Sequence, residues 1–237
     1  MLHDGPPVEP RPSASVLLAR GRDPWRLLMM RRPGGAEFAP SAYVFPGGSV
    51  HAEDHDFDDP VRSAAARELF EEVGILLARR RSGRFAAEPD CRRLRSALEG
   101  GVSWPAGLVE CGLSPAFDRL VFLARWITPE RLRRRFDTRF FFARRPAGQS
   151  VLPQAGEVEE LIWVSPGEAL AEGGPTMVHA TRRILESVAG ESDVRRLLAR
   201  LRRRRRETPP VRPRVVQAEG GGWAVVDDGP RSARSSP

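Results

Sequence analysis

Glu68, Glu71 and Glu72 stand three and four residues apart in the stretch Arg67-Glu68-Leu69-Phe70-Glu71-Glu72-Val73-Gly74-Ile75. On an α-helix, positions i, i+3 and i+4 fall on one face, so this spacing stacks three carboxylates side by side. Like charges at that separation repel one another, and a cation among them turns repulsion into attraction. Hard divalent ions such as Mg²⁺ or Mn²⁺ favour carboxylate and water oxygens, and diphosphate oxygens complete such a coordination sphere. The chemistry on offer is metal-assisted work on a diphosphate. A solvated acidic helix face has the same spacing, so the three glutamates alone leave both readings open.

Their surroundings narrow the choice. Phe45-Pro46-Gly47-Gly48 lies upstream, and five residues separate Gly47 from Glu53. Together the two stretches resemble the signature of the Nudix hydrolases, which cleave a nucleoside diphosphate linked to some further moiety. The resemblance implies that Glu68, Glu71 and Glu72 are metal ligands, that the cofactor is Mg²⁺ or Mn²⁺, and that the substrate is a small nucleotide-linked diphosphate. Arg67 is expected to pair with a nearby carboxylate and hold the acidic face in one geometry. Gly74 suits a left-handed helix end. Gly47 and Gly48 let backbone approach a ligand closely and turn N–H groups toward phosphate oxygens.

One departure is visible. Thirteen residues, 54–66, separate Glu53 from Arg67, where the family pattern has seven. The excess falls in a segment with His51, Asp54, His55, Asp56, Asp58 and Asp59. A solvated acidic loop bulging out before the helix is the favoured reading, with a second metal site as the alternative. Either way the role of Glu53 is in question.

The general base is supplied at varying positions in this family. Glu157 and Glu160, flanking the start of an apolar strand, are the candidates outside the helix, and Glu71 is the candidate within it. The segment from Leu28 to Gly48 is similar to the branch that cleaves coenzyme A and acyl-CoA, in which insertions within this signature (the box, here residues 47–75) also occur. Laid over that branch's signature, Leu28 and Arg32 match, whereas Met29, Met30, Pro33, Glu37 and Ser41 depart from it. Arg32, Phe45, Gly47 and Gly48 are the expected substrate contacts. ADP-ribose, nucleotide sugars and other nucleotides remain alternative substrates.

The formal charge of +7 carries little weight, because all 38 basic residues are arginine and the chain has neither lysine nor asparagine. That bias matches a GC-rich coding background as well as a polyanionic partner. The run Arg202–Arg206 raises nucleic-acid binding as a rival class, and a Nudix-like sensor that binds without cutting is another. The run is more often a solvated helix end and carries less weight in a lysine-free chain, so a nucleic-acid partner is not expected, and the intact glutamate set argues against the sensor. Two cysteines without metal-ligand spacing, and no long apolar run, point to a reduced cytoplasmic protein without membrane spans. A homodimer is left open.

The elements that must position these residues are legible in outline. Residues 1–12 are read as disordered, 13–206 as the catalytic domain and 207–237 as a mostly flexible tail in which 223–226 could add a strand. Strands are expected over 13–19, 25–30, 42–45, 119–127, 138–143 and 158–164, with Pro46-Gly47-Gly48 stopping the third. Helices are expected over 59–77, 90–98, 176–188 and 193–204, after Ser165 as a cap, and as a short connection over 129–136. The order predicts an α+β fold, an α/β/α sandwich of the Nudix type with a mixed sheet and C-terminal helices.

Overall fold

The computed structural model describes residues 2, 5–36, 39–204, 207–218 and 222–227. Arg205 and Arg206 of the arginine run, Glu37, and parts of both termini lie outside the described residues. Strand β1 (Arg11–Gly21) turns into β2 (Trp25–Arg31), followed by the short β3 (Tyr43–Val44) and β4 (Gly47–Ser49). A 3-10 turn at Ala52–Asp56 leads into α1 (Pro60–Val73). Then come β5 (Ala78–Arg80), α2 (Glu88–Glu99), α3 (Trp104–Glu110), β6 (Leu113–Pro115), β7 (Val121–Ile127) and β8 (Phe136–Arg144). The chain continues through β9 (Glu160–Val164), α4 (Pro166–Leu170), α5 (His179–Ala189) and α6 (Val194–Arg202) to a hairpin of β10 (Arg214–Gln217) and β11 (Trp223–Val226).

The fold is α+β, built on one seven-stranded mixed sheet. Strand β1 runs parallel to β8 along nine register pairs and antiparallel to β2 and β4. Its first half pairs with β4 (Ser15 with Gly47) and its second half with β2 (Ala19 with Leu27). Alternation explains why Ala14 to Ala19 are all buried. Ala14, Val16 and Leu18 face the layer of α1, α2 and α3, whereas Leu17 and Ala19 face α5 and α6.

Helix α1 begins as its sequence indicates. Asp59 accepts from Arg62 N–H at 3.0 Å, and Pro60 occupies the first turn, where its missing N–H costs nothing. The stripe Ala64, Ala65, Leu69, Phe70 and Val73 lies on the sheet, and its small alanines let the helix approach closely. Four expectations are corrected. The helix stops at Val73, not near Leu77, because Gly74 takes φ 75° and donates its N–H to Phe70 O at 2.8 Å. The third strand, β3, does stop before Pro46, but Gly47 and Gly48 are not merely a turn: they begin a further strand, β4. Residues 129–135 form turns and a bridge from Leu132 to Leu2 rather than a helix. Helix α3 was not expected from the residues around Pro105, which it uses in its first turn.

Candidate active site

Burial decides the character of the acidic face. Arg67 is 1% exposed and stands at its centre. Its Nη1 donates to Glu68 Oε1 at 3.0 Å and to Glu71 Oε2 at 2.9 Å, and its Nη2 donates to Ser49 O and to Asp54 Oδ2, each at 2.9 Å. One guanidinium thus ties α1 to β4 and to the turn before the helix. Burial works against its charge, but Asp54, Glu68 and Glu71 outweigh it and hold the group protonated beyond the ordinary arginine range.

The three glutamates sit at graded depth. Glu72 is 5% exposed and accepts from Gly47 N–H at 2.8 Å. Burial pushes its carboxyl well above the ordinary range, and the neighbouring Glu68 charge adds to the shift. Burial likewise raises Glu68 and Glu71, against the opposing pull of Arg67. The backbone of β4 is pressed onto this group. A Cβ at Gly48 would lie 2.3 Å from Glu68 Oε1, and one at Gly47 would lie 2.2 Å from Ala14 O. Both positions need glycine for space. Beyond them opens a cavity of about 520 Å³ whose lining includes Arg32, Phe45, Gly47, Gly48 and Ser49.

Comparison with known proteins bears on the family and the fold. A family model described as NUDIX domain matches residues 9–100. A protein of Caenorhabditis elegans named "Putative nudix hydrolase 7" is 32% identical over 162 residues, which span 68% of this chain. Residues 9–100 thus carry a Nudix domain. The alignment spans 54% of the nematode protein's own length, about half. A crystal structure of a NUDIX hydrolase from Alicyclobacillus acidocaldarius has the same fold, with a TM-score of 0.67 at 22% identity. That alignment covers 81% of this chain and 96% of the other.

Within this Nudix domain the insertion has redistributed two roles. Asp54, inside the extra segment, is fully buried and accepts from Arg67, from Ser63 Oγ at 2.7 Å and from His51 N–H at 2.9 Å. Glu53 instead accepts from Trp104 N–H at 2.9 Å, at the start of α3, and lies 3.9 Å from Arg67 Nε. The reading of 51–59 as a solvated loop holds for His51, His55, Asp56 and Asp58, which are exposed, and fails for Asp54. A pattern signal did exist, since Asp54 directly follows the glutamate of the signature, but only burial separates it from the other aspartates.

Of the candidate bases, the structure brings one to the box. The loop 149–158 lies against the end of α1, where Leu152 N–H donates to Val73 O at 3.0 Å and Gln154 N–H to Glu72 O at 2.9 Å. These bonds satisfy carbonyls that a helix end leaves open. They also bring Glu157 near enough for its charge to raise both Glu68 and Glu72. Glu160 is not part of the group, because its carboxylate accepts from the Tyr43 hydroxyl at 2.6 Å. Gln149 was missed. It is buried and braces the chain after α1 through Leu76 N–H and the carbonyls of Leu76 and Ala86.

The donor set suits a hard divalent cation: carboxylate oxygens whose burial and mutual repulsion favour a positive partner. As the side chains stand, Arg67 supplies that charge, and among the described residues no three His, Cys, Asp or Glu side chains converge as a ready-made metal cage.

Proposed function

We propose that the protein is a divalent-metal-dependent hydrolase of a nucleotide-linked substrate, cleaving its pyrophosphate bond. The observation that carries this is the Glu68–Glu71–Glu72 group, with Glu72 buried and Glu68 and Glu71 bonded to Arg67, packed against Gly47 and Gly48, which line a cavity of about 520 Å³. Glu68, Glu71 and Glu72 are the residues that would hold Mg²⁺ or Mn²⁺. When bound, the ion supplies positive charge to the diphosphate oxygens and acidity to water.

The chain's own groups divide the remaining work. Gly47 and Gly48 bring backbone to the phosphates, and Arg32, whose charge reaches Glu72, offsets their negative charge. Glu157 is the preferred base, since Glu71 is bonded to Arg67 and Glu160 to Tyr43. It takes a proton from water as the water oxygen bonds to one phosphorus. The bond from that phosphorus to the bridging oxygen breaks, and the second phosphate leaves with the electron pair.

Coenzyme A or an acyl-CoA is the leading substrate, on the match of Leu28, Arg32 and Phe45-Pro46-Gly47-Gly48 to that branch's signature. Cleavage of coenzyme A yields adenosine 3′,5′-bisphosphate and a phosphopantetheine. ADP-ribose and nucleotide sugars are the alternatives. A cytoplasmic location is part of the same proposal; among the described residues no helix is long and apolar enough to cross a membrane. The test is a product-resolved assay with Mg²⁺ and Mn²⁺ over coenzyme A, acyl-CoAs, ADP-ribose, NADH, diadenosine polyphosphates and nucleoside triphosphates. Metal-dependent cleavage of one of them supports the proposal, and no product from any member of the panel overturns it.

A further inference from the structure

The cavity crosses the sheet from the box to the C-terminal hairpin. Its floor follows one row of register partners: Ser49 of β4 opposite Ser13 of β1, Ser13 opposite Thr138 of β8, and Thr138 opposite Trp126 of β7. Ser13 Oγ and Thr138 Oγ1 are bonded at 2.8 Å in the middle of that row. Three strand spacings make it about 14 Å long. A diphosphate held at the Ser49 end therefore leaves its attached group over Trp126.

What closes the Trp126 end comes from beyond the residues matched by the family model. Val211 joins the edge of β7, donating to Arg125 O at 2.8 Å and accepting from Ile127 N–H at 2.9 Å. The chain then forms β10 and β11, and Pro213 and Val225 line the cavity. A two-stranded ribbon is marginal by itself, and this one leaves Trp223 52% exposed. Side-chain ties compensate. Asp227 Oδ1 lies 2.7 Å from His179 Nε2, and its Oδ2 accepts from Arg183 Nε at 2.5 Å. The Arg131 guanidinium stacks 4.6 Å from the Trp223 ring centroid. His179 opens α5, lines the cavity and meets Trp126 edge-on, with ring centroids 6.0 Å apart. One carboxylate thus fastens the hairpin to the helix that borders the same end of the cavity.

We infer that the hairpin β10–β11 is a wall of the substrate site, clamped by Asp227, and that it selects the group at the end of the substrate remote from the diphosphate. The inference rests on the hydrolase reading of the box. Trp126, Val225 and the His179 ring line this end of the cavity, a largely apolar set with two ring systems set edge-on, which takes a nucleobase or a comparable ring by aromatic and apolar contact. Asp227 is a positioning residue: it acts through His179 and the placement of β11.

Two measurements on the full chain test this. The first is hydrogen exchange with ADP-ribose or coenzyme A in EDTA, where metal-dependent turnover is off. Added protection over 223–226 and the start of α5, lost in Asp227→Asn, is the expected result. The second is steady-state kinetics with Mg²⁺ on whichever panel member is cleaved. Asp227→Asn is expected to raise KM about tenfold, the scale of one charge-assisted hydrogen bond, and to lower kcat much less. Asp227→Glu should recover part of the loss. Val225→Asp leaves the clamp intact and should raise KM by a similar factor, which keeps the test valid if Asp227→Asn folds poorly. Turnover with protection near Gly47–Ser49 and none at the hairpin overturns the inference while sparing the hydrolase. Hairpin protection without turnover of any panel member overturns the hydrolase and leaves the wall. Neither protection nor turnover overturns both.

Discussion

Two ion networks hold this molecule together at the two ends of its cavity, and they are built in opposite ways. At the box, a single cation, Arg67, is surrounded by Glu53, Asp54, Glu68 and Glu71. At the hairpin, the central group is an anion, Asp227, gripped by His179 and by Arg183, which also pairs with Glu186. The first is buried at its centre, with the Arg67 side chain 1% exposed and Asp54 0%, while Glu53 and Glu71 at its rim reach solvent. Asp227, the centre of the second, keeps 24% of its side chain in solvent. Removing a buried partner leaves charges that water cannot reach, so the box network resists change. Water can replace a partner at the hairpin, so that end tolerates substitution at low cost. On the proposed function, chemistry that requires carboxylates in fixed places would sit on the first, and on the inferred wall, selection among attached groups would sit on the second.

The largest effect that breaks this contrast comes from Arg67→Met. It strands Asp54, Glu68 and Glu71 without their cation, and a loss of about 3–5 kcal/mol in urea unfolding is expected. An unchanged midpoint would show that the network is not structural. Next is Glu72→Gln, which keeps the bond from Gly47 N–H but removes a carboxylate from the acidic group. Mg²⁺-dependent turnover should fall about a hundredfold or more. Stability should hold or rise, because a buried charge with a raised pKa has been deleted. A folded variant with full turnover would sink the assignment of the box.

Asp54→Asn sharpens the comparison from inside the insertion. Arg67 keeps Glu68, Glu71 and Ser49 O, so the loss should be about 1–3 kcal/mol, smaller than for Arg67→Met. A loss equal to that of Arg67→Met would mean that Asp54 alone holds the guanidinium. The smallest effect is expected at the hairpin: Asp227→Asn should cost about 1 kcal/mol or less in thermal unfolding. Added salt should shrink that difference but leave the Arg67→Met loss nearly unchanged, since screening reaches only the solvated network.

The legibility of these regions in the sequence follows the same division. Helix α1 announced itself through Asp59, Pro60, a four-residue apolar rhythm and Gly74, because all of these act within a turn or two of chain. Strands β1, β2, β7, β8 and β9 were visible as apolar runs, and their ends moved by only a few residues. The connection over 129–135 misled because its arginines and leucines carry helix propensity, while the chain there is held by a bridge from Leu132 to Leu2. Strand β4 was hidden because glycines carry no strand signal; pairing with β1 makes it one. Among the candidate bases, Glu157 and Glu160 were indistinguishable by composition. The carbonyls left open at the end of α1 bring the loop of Glu157 to the box, and the Tyr43 hydroxyl takes Glu160 elsewhere.

By itself, the sequence determined that Glu68, Glu71 and Glu72 share a face, since helical spacing is a property of neighbours along the chain. It also offered Gly74 as a left-handed helix end, although the helical pattern ran on to Leu77 and only the structure placed the stop at Val73. Tertiary structure alone decided that Asp54 and not its acidic neighbours is buried against Arg67. It alone decided that Glu53 turns to α3, and that Val225 and Asp227 return to the cavity. The reason is physical: those partners are thirteen to more than forty residues apart, and no local rule sets which distant carboxylate will share the low-dielectric space around a given cation.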